Sequence, residues 1–251
     1  MPFADNQGVR IHYRVEGTGS PLVLQHGFTQ SIEDWYDCGY VDALSGDHRV
    51  ILVDARGHGD SGKPHEPEAY RLEDRVGDVV AVLNALAIEK ADFWGYSMGG
   101  WIGFGLAEFA PKRIDRLVIG GQHPYARKME GFRQIIRDGI AQGPGAFVTA
   151  AERMVGTLPP RYRARLHKAD LDAFLAIAQD REGLEAGFSK ITMPCCLYAG
   201  EADPMCAEVE QASRLVVTAK FFSLASLDHF QGFVRSDLVL PHVREFLRRA
   251  A

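Results

Sequence analysis

The stretch "FWGYSMGGWIGFGLAEF", residues 93 to 109, is apolar or glycine almost throughout and carries a single serine near its start. Phe93 to Tyr96 read as the end of a buried strand, and Ser97 to Phe109 as a helix apolar nearly all round, hence a buried one. Ser97 sits at the junction, between Gly95 and Gly99, with Gly100 directly after. A serine hydroxyl can attack a substrate only where it stands clear of both elements. A very tight strand–turn–helix achieves that and crowds the flanking positions until they have no room for side chains. The helix beyond aims its free N–H groups and the positive end of its dipole at the same place. A glycine-rich contact between helix and sheet is the plainer explanation, but the strand–helix junction favours a nucleophile.

Outward from this stretch, short apolar runs recur between glycines and longer amphipathic segments. The strand candidates are Val9–Val15, Pro21–Gln25, Arg49–Asp54, Asp92–Tyr96, Arg116–Gly120, Pro194–Gly200 and Lys220–Ala225. Several are apolar throughout rather than alternating, as parallel strands covered on both faces are. Helical stripes fill the gaps at Tyr70–Ile88, Ser97–Phe109 and Ser236–Arg249, the last with Arg248 and Arg249 where a helix dipole favours cations. The alternation predicts an α/β fold with a mostly parallel, doubly covered sheet. From about Gly121 to Met193 the rhythm stops. Only helical pieces are legible there, at Met129–Ile140, Gly145–Val155 and Ala169–Gln179, with too many apolar residues for a solvent loop. The expected division is a core of residues 1–120 and 194–251 with a helical insertion, 121–193, packed over the sheet.

A nucleophilic serine needs a base, and the base needs an orienting group. Of nine histidines, His229 follows the last strand candidate in "LASLDHFQGF", at a strand's C-terminal end, where open α/β sheets place their ligands. His123 follows another strand end and is its rival. His242 falls in the closing helix and His167 in the insertion, both read as surface residues, His12 within an early strand, and His48 and His65 in polar loops. His26 and His58 occupy glycine-flanked turns suited to structural hydrogen bonds. For the acid, Asp203 in "LYAGEADPM" follows a buried strand and precedes Pro204, a loop-favouring context. Glu201 is an alternative, and so is Asp54, although "VDARGHGDSG" reads as a turn network tied to local backbone. Asp228 adjoins His229 in sequence and so points elsewhere.

Bulk properties narrow the function. The 251 residues are 46% hydrophobic and carry a net charge of −5, which argues against a polyanion-binding surface and hence against nucleic acid. No apolar run approaches the roughly 20 residues of a membrane span. "MPFADNQG" lacks the apolar core of a signal peptide. Cys38, Cys195, Cys196 and Cys206 have neither metal-like nor scaffold-like spacing, and read as small buried residues of a reduced compartment. Cys195 and Cys196, adjacent in a strand, should face opposite ways. A cytoplasmic protein is expected.

The chain order Ser97, Asp203, His229 and the motifs around it resemble the α/β-hydrolase superfamily over nearly the whole chain. The matching pieces are "LVLQHGF" (22–28), "VILVDARGHGDSGKP" (50–64), "FWGYSMGG" (93–100), "LYAGEADP" (197–204) and "LDHF" (227–230). The resemblance implies Ser97 as nucleophile, Asp203 as acid and His229 as base, with the backbone N–H groups of Phe28 and Met98 as the oxyanion hole. It also implies that the insertion is a cap over the active site. Epoxide hydrolases and haloalkane dehalogenases use an aspartate where this chain has Ser97. Relatives that carry the acid after the sixth strand do so where Gly120 and Gly121 stand here. Gln25 before the His-Gly pair and Asp228 before His229 depart from the family pattern.

The expected activity is hydrolysis of a small to medium, largely apolar carboxylic ester through an acyl-enzyme, with no metal or organic cofactor. Trp35, Trp101, His123 and Tyr125 are candidate pocket residues that packing would explain as well. Enol-lactone hydrolysis and hydrolytic carbon–carbon cleavage can use the same triad. A non-catalytic small-ligand receptor is the alternative of a different class, and retention of all three triad residues argues against it.

Overall fold

Successive side chains of a strand point to opposite faces, so a strand apolar throughout builds two cores at once. The computed structural model describes residues 2–248 and forms eight strands into one sheet. They are β1 (Phe3–Asn6), β2 (Val9–Glu16), β3 (Ser20–Gln25), β4 (His48–Val53), β5 (Ala91–Tyr96), β6 (Ile114–Gly120), β7 (Cys195–Gly200) and β8 (Ala219–Leu224). Their order is β1-β2-β4-β3-β5-β6-β7-β8. The β1–β2 and β2–β4 pairs are antiparallel, and all other neighbours are parallel.

Seven strands are those expected, and β1 is an addition. It pairs with β2 through a two-residue hairpin in which Gln7 and Gly8 both have positive φ (55° and 82°). Two successive positive φ values match the right-handed twist of a hairpin. Only Ala4 of its four residues is buried, too little apolar pattern to announce a strand.

The helices are α1 (Ile32–Asp37), α2 (Tyr40–Leu44), α3 (Leu72–Ala85), α4 (Met98–Phe109), α5 (Glu130–Gln142), α6 (Pro144–Val155), α7 (Pro160–His167), α8 (Leu171–Ile177), α9 (Cys206–Leu215), α10 (Gln231–Val234) and α11 (Ser236–Leu247). Val23, Ile51, Phe93, Leu117 and Cys195 point to one face of the sheet, where α3, α4 and α9 cover them. Leu24, Leu52, Trp94, Val118 and Cys196 point to the other, beneath α1, α2 and α11. Cys195 and Cys196 therefore lie on opposite faces as expected. All four thiols are free, and burial pushes that of Cys196 up to about 12. α4 is buried from Met98 through Ala107. Arg249, expected at the end of the closing helix, lies outside the described residues.

Between β6 and β7 the described residues form helices and one isolated antiparallel bridge, Arg127 to Arg181. α5, α6 and α8 are the three expected helices. α7 is additional, because "PRYRARLH" buries only Tyr162 and Leu166 and shows no legible stripe. Ile136, Phe147, Leu166, Leu171, Phe174 and Ile177 pack into a third core that reaches Met98 and Tyr70 on the sheet side. Charged contacts fasten α7 to α1: Arg165 meets Asp34 at 2.6 Å and Asp37 at 2.8 Å. Among the described residues no helix is long and apolar enough to cross a membrane.

Candidate active site

The turn from β5 into α4 holds Ser97 at φ 51° and ψ −114°. A non-glycine residue there costs about 1–3 kcal/mol and persists only where its surroundings enforce it. Here the Ser97 N–H donates to the Gly120 carbonyl at 2.8 Å, and the Gln122 side-chain amide donates to the Ser97 carbonyl at 3.1 Å. The flanking glycines are steric requirements. A Cβ on Gly95 would stand 2.2 Å from the Gly99 carbonyl oxygen, and one on Gly99 2.1 Å from that of Gln25.

His229 follows β8. The Tyr96 hydroxyl donates to its carbonyl at 2.5 Å, and the Tyr96 ring packs against the imidazole at 5.4 Å between centroids. His229 Nε2 lies 3.0 Å from Ser97 Oγ, and Nδ1 lies 2.7 Å from an Asp203 carboxylate oxygen. The other Asp203 oxygen accepts the Met205 N–H at 2.9 Å, so both oxygens are engaged. One tautomer satisfies every contact: Nδ1–H donates to Asp203 and Nε2 accepts from the Ser97 hydroxyl. Ser97, Asp203 and His229, far apart in sequence, are thus brought together.

The rivals go elsewhere. Glu201 is exposed and accepts from the Ser223 hydroxyl at 3.0 Å. Asp228 accepts the Gln231 N–H at 2.7 Å. Asp54 serves a buried network: it accepts from Ile32 N–H at 2.9 Å, from Asp60 N–H at 3.0 Å and from His12 Nδ1 at 2.7 Å. The Asp60 tie is the local one expected, and the Ile32 and His12 contacts from distant segments add to it. Burial alone would raise the Asp54 pKa, but these donors, His12 foremost, hold it below the usual aspartate value. An acid after β6 has no room, since a Cβ on Gly120 would meet the Tyr198 ring at 2.3 Å and one on Gly121 the His229 Cε1 at 3.1 Å.

Two backbone amides flank Ser97. Met98 begins α4, where the first N–H groups have no partner within the helix. The Phe28 loop is held on both sides: Gly27 N–H donates to Gln30 Oε1 at 2.8 Å and Thr29 N–H to His58 Nε2 at 3.3 Å. Among the described residues, neither the Phe28 nor the Met98 N–H has a backbone acceptor. His26 and His58, both buried, brace the same loop. His26 Nε2 accepts the Ala55 N–H at 3.1 Å, and burial lowers the pKa of both imidazoles.

The four candidate pocket residues prove to be packing. Ser97 opens into a cavity of about 410 Å³, and none of the four is among its described lining residues. Trp35 is fully buried between Tyr40, Trp94 and Phe233 in the core beneath α1 and α2. Trp101 turns its face to the Arg181 guanidinium, 5.4 Å away. His123 and Tyr125 stack on each other at 5.5 Å, and His123 Nδ1 accepts the Tyr125 N–H at 3.2 Å. The walls come instead from Phe28, Phe132, Phe147, Met154 and Leu158, with Arg127 and Arg181 among them. The arginines escape a search for catalytic groups, because a guanidinium in a helical insertion has no local motif.

A model of the family described as alpha/beta hydrolase fold matches residues 20–156. The chain is 32% identical, over 65% of its length, to RutD of Azorhizobium caulinodans, whose name provisionally assigns it carbamate hydrolysis; the match spans 60% of that protein. It is 38% identical over 43% of its length to bifunctional epoxide hydrolase 2 of Sus scrofa, spanning 19% of that protein. Among solved structures, the enol-lactonase of Burkholderia xenovorans LB400 superposes with a TM-score of 0.86 at 26% identity, over 98% of this chain and 99% of that one.

Proposed function

The chain belongs to the α/β-hydrolase fold family, and from that premise we propose that it hydrolyses carboxylic esters of small to medium size through an acyl-enzyme on Ser97. The observation that carries this reading is the relay of contacts from Ser97 Oγ to His229 Nε2 at 3.0 Å and from Nδ1 to Asp203 at 2.7 Å, opening on an apolar cavity. Ser97 Oγ adds to the substrate carbonyl as its proton passes to His229 Nε2. The imidazolium formed is stabilised by Asp203, and the oxyanion is received by the Phe28 and Met98 amides. His229 then hands the proton to the departing alkoxide. In the second half it takes a proton from water, whose hydroxide releases the acid. A serine adds productively to a carbonyl, since the acyl ester formed is itself hydrolysable. Opening an epoxide on serine would leave an ether that the same machinery cannot cleave.

In this reading residues 121–193 are the cap, residues 1–120 and 194–251 the core, and the cap's Phe132, Phe147 and Met154 receive the apolar part of the substrate. A second reading, hydrolysis of an enol-lactone by the same steps, is favoured by the end-to-end likeness to the Burkholderia enol-lactonase. A fluorophosphonate probe tests both. One adduct on the peptide that holds Ser97, lost in Ser97→Ala, is expected; labelling elsewhere or none refutes the nucleophile.

A further inference from the structure

Arg127 and Arg181 face each other across the antiparallel bridge, with Arg127 N–H donating to the Arg181 carbonyl at 3.0 Å and Arg181 N–H returning the bond at 2.9 Å. Residues directly opposite in such a bridge put their side chains on the same side, and like charges there repel. A carboxylate between them would be the ordinary remedy. Three arginines elsewhere have one: Arg56 pairs with Asp78, Arg165 with Asp34 and Arg133 with Asp180, while buried Arg75 donates to the Ile177 carbonyl instead. Among the described residues neither Arg127 nor Arg181 donates to a carboxylate.

What they have instead are aromatic supports. The Arg181 guanidinium lies over Trp101 at 5.4 Å and that of Arg127 over Phe132 at 5.8 Å, with one Arg127 N–H donating to Met205 Sδ at 3.0 Å. A guanidinium held by its face keeps the edge N–H groups free for an acceptor. Both side chains line the cavity that holds Ser97. The anions that act on Arg127 are Asp203, already engaged by His229 and Met205, and Glu208; Arg75 adds a further positive charge that acts on Arg181. Burial, then Arg75 and Arg127, pull the Arg181 pKa down to about 9. Such a pair is unfavourable while empty and suited to a bidentate anion.

We propose that Arg127 and Arg181 form a carboxylate subsite, so that the substrate is an ester or lactone with a free carboxylate remote from the scissile carbonyl. This rests on the hydrolase reading above. The substrate then has an apolar middle between two polar ends, the reacting carbonyl at Ser97 and the anion at the arginines.

The test uses the mono-p-nitrophenyl esters of glutaric and adipic acid, each against its neutral methyl-capped diester. In wild type, kcat/KM for at least one free acid should exceed that of its capped partner by at least about tenfold, the worth of a charge-assisted contact. Arg127→Met and Arg181→Met should each reduce this ratio by a similar factor. The corresponding lysine variants should restore part of it, because charge returns without the fork geometry. A ratio at or below one for both acids, or a ratio that neither methionine variant changes, overturns the subsite and leaves the hydrolase reading standing. If neither ester type is hydrolysed, glutarate binding to Ser97→Ala decides the matter. A rise in Tm that Ser97→Ala/Arg181→Met lacks supports the subsite while the ester reading falls. No rise overturns it.

Discussion

At the scale of single residues, hydrogen-bond partners decide between groups that the sequence leaves equivalent. Glu201 and Asp203 share one loop, yet only Asp203 is buried against the imidazole. Asp203→Asn should preserve the fold and lower kcat by up to ~10⁴, since an amide that donates to Nδ1 leaves the proton on Nε2, where the Ser97 proton must go. Glu201→Gln should leave kcat unchanged. His229→Ala should lower kcat by at least ~10³. Steady-state kinetics with p-nitrophenyl butyrate checks all three, and a large loss for Glu201→Gln with a small one for Asp203→Asn would reverse the assignment. Ser97 was legible as the candidate nucleophile because the constraint on its turn is local: Gly95 and Gly99 are forced by carbonyl oxygens about 2 Å from any added Cβ. The pocket residues were not, because an aromatic such as Trp35 reads the same in a core as in a cavity wall.

At the scale of elements, the helices between β6 and β7 carry the specificity prediction. Burying one more CH₂ is worth ~0.8 kcal/mol, so each methylene that finds a contact should raise kcat/KM about fourfold. With neutral p-nitrophenyl esters, efficiency should climb from acetate over a few carbons and fall once the cavity is full. Phe132→Ser should flatten the climb more than it reduces acetate turnover, since Phe132 lines the cavity. Ile136 is not a comparable site. It is fully buried in the core of the segment, and Ile136→Ser should instead lower Tm, the loss of a buried aliphatic side chain costing about 3 kcal/mol. A profile indifferent to chain length in wild type and Phe132→Ser alike would exclude α5 from the acyl pocket. Long elements with a full apolar stripe were readable here, whereas β1 and α7 were not. Four strand residues with one buried, or eight helical residues with two, carry too weak a period.

For the molecule as a whole, two neutral buried histidines tie stability to pH. His26 and His58 each accept a backbone N–H at Nε2 in the loops that present Phe28 and Asp54, and burial, with their mutual repulsion lowering His58 further, keeps both pKa values below the ordinary 6.5. At these two sites the unfolded chain therefore binds more protons below pH 6.5 than the folded one, so their contribution to stability rises with pH in that range. It is complete above about pH 6.5 and is lost as pH falls, each histidine contributing up to about 1.4 kcal/mol per pH unit. Tm measured from pH 7.5 down to pH 5 should fall. His58→Gln, which retains an acceptor but cannot ionise in this range, should shallow that slope. An equal slope in the variant would show that these imidazoles do not govern acid unfolding.

The sequence by itself determined the α/β alternation, the position of the elbow and the chain order of serine, acid and histidine. These follow from hydrophobic period and from steric demands between residues a few positions apart. Tertiary structure alone decided which carboxylate meets His229, which aromatics form walls rather than core, and that Arg127 and Arg181 line the cavity of Ser97 with no carboxylate hydrogen-bonded to either among the described residues. Each of those depends on segments distant in sequence meeting in space, and neither periodicity nor motif carries information about the partner a side chain finds there.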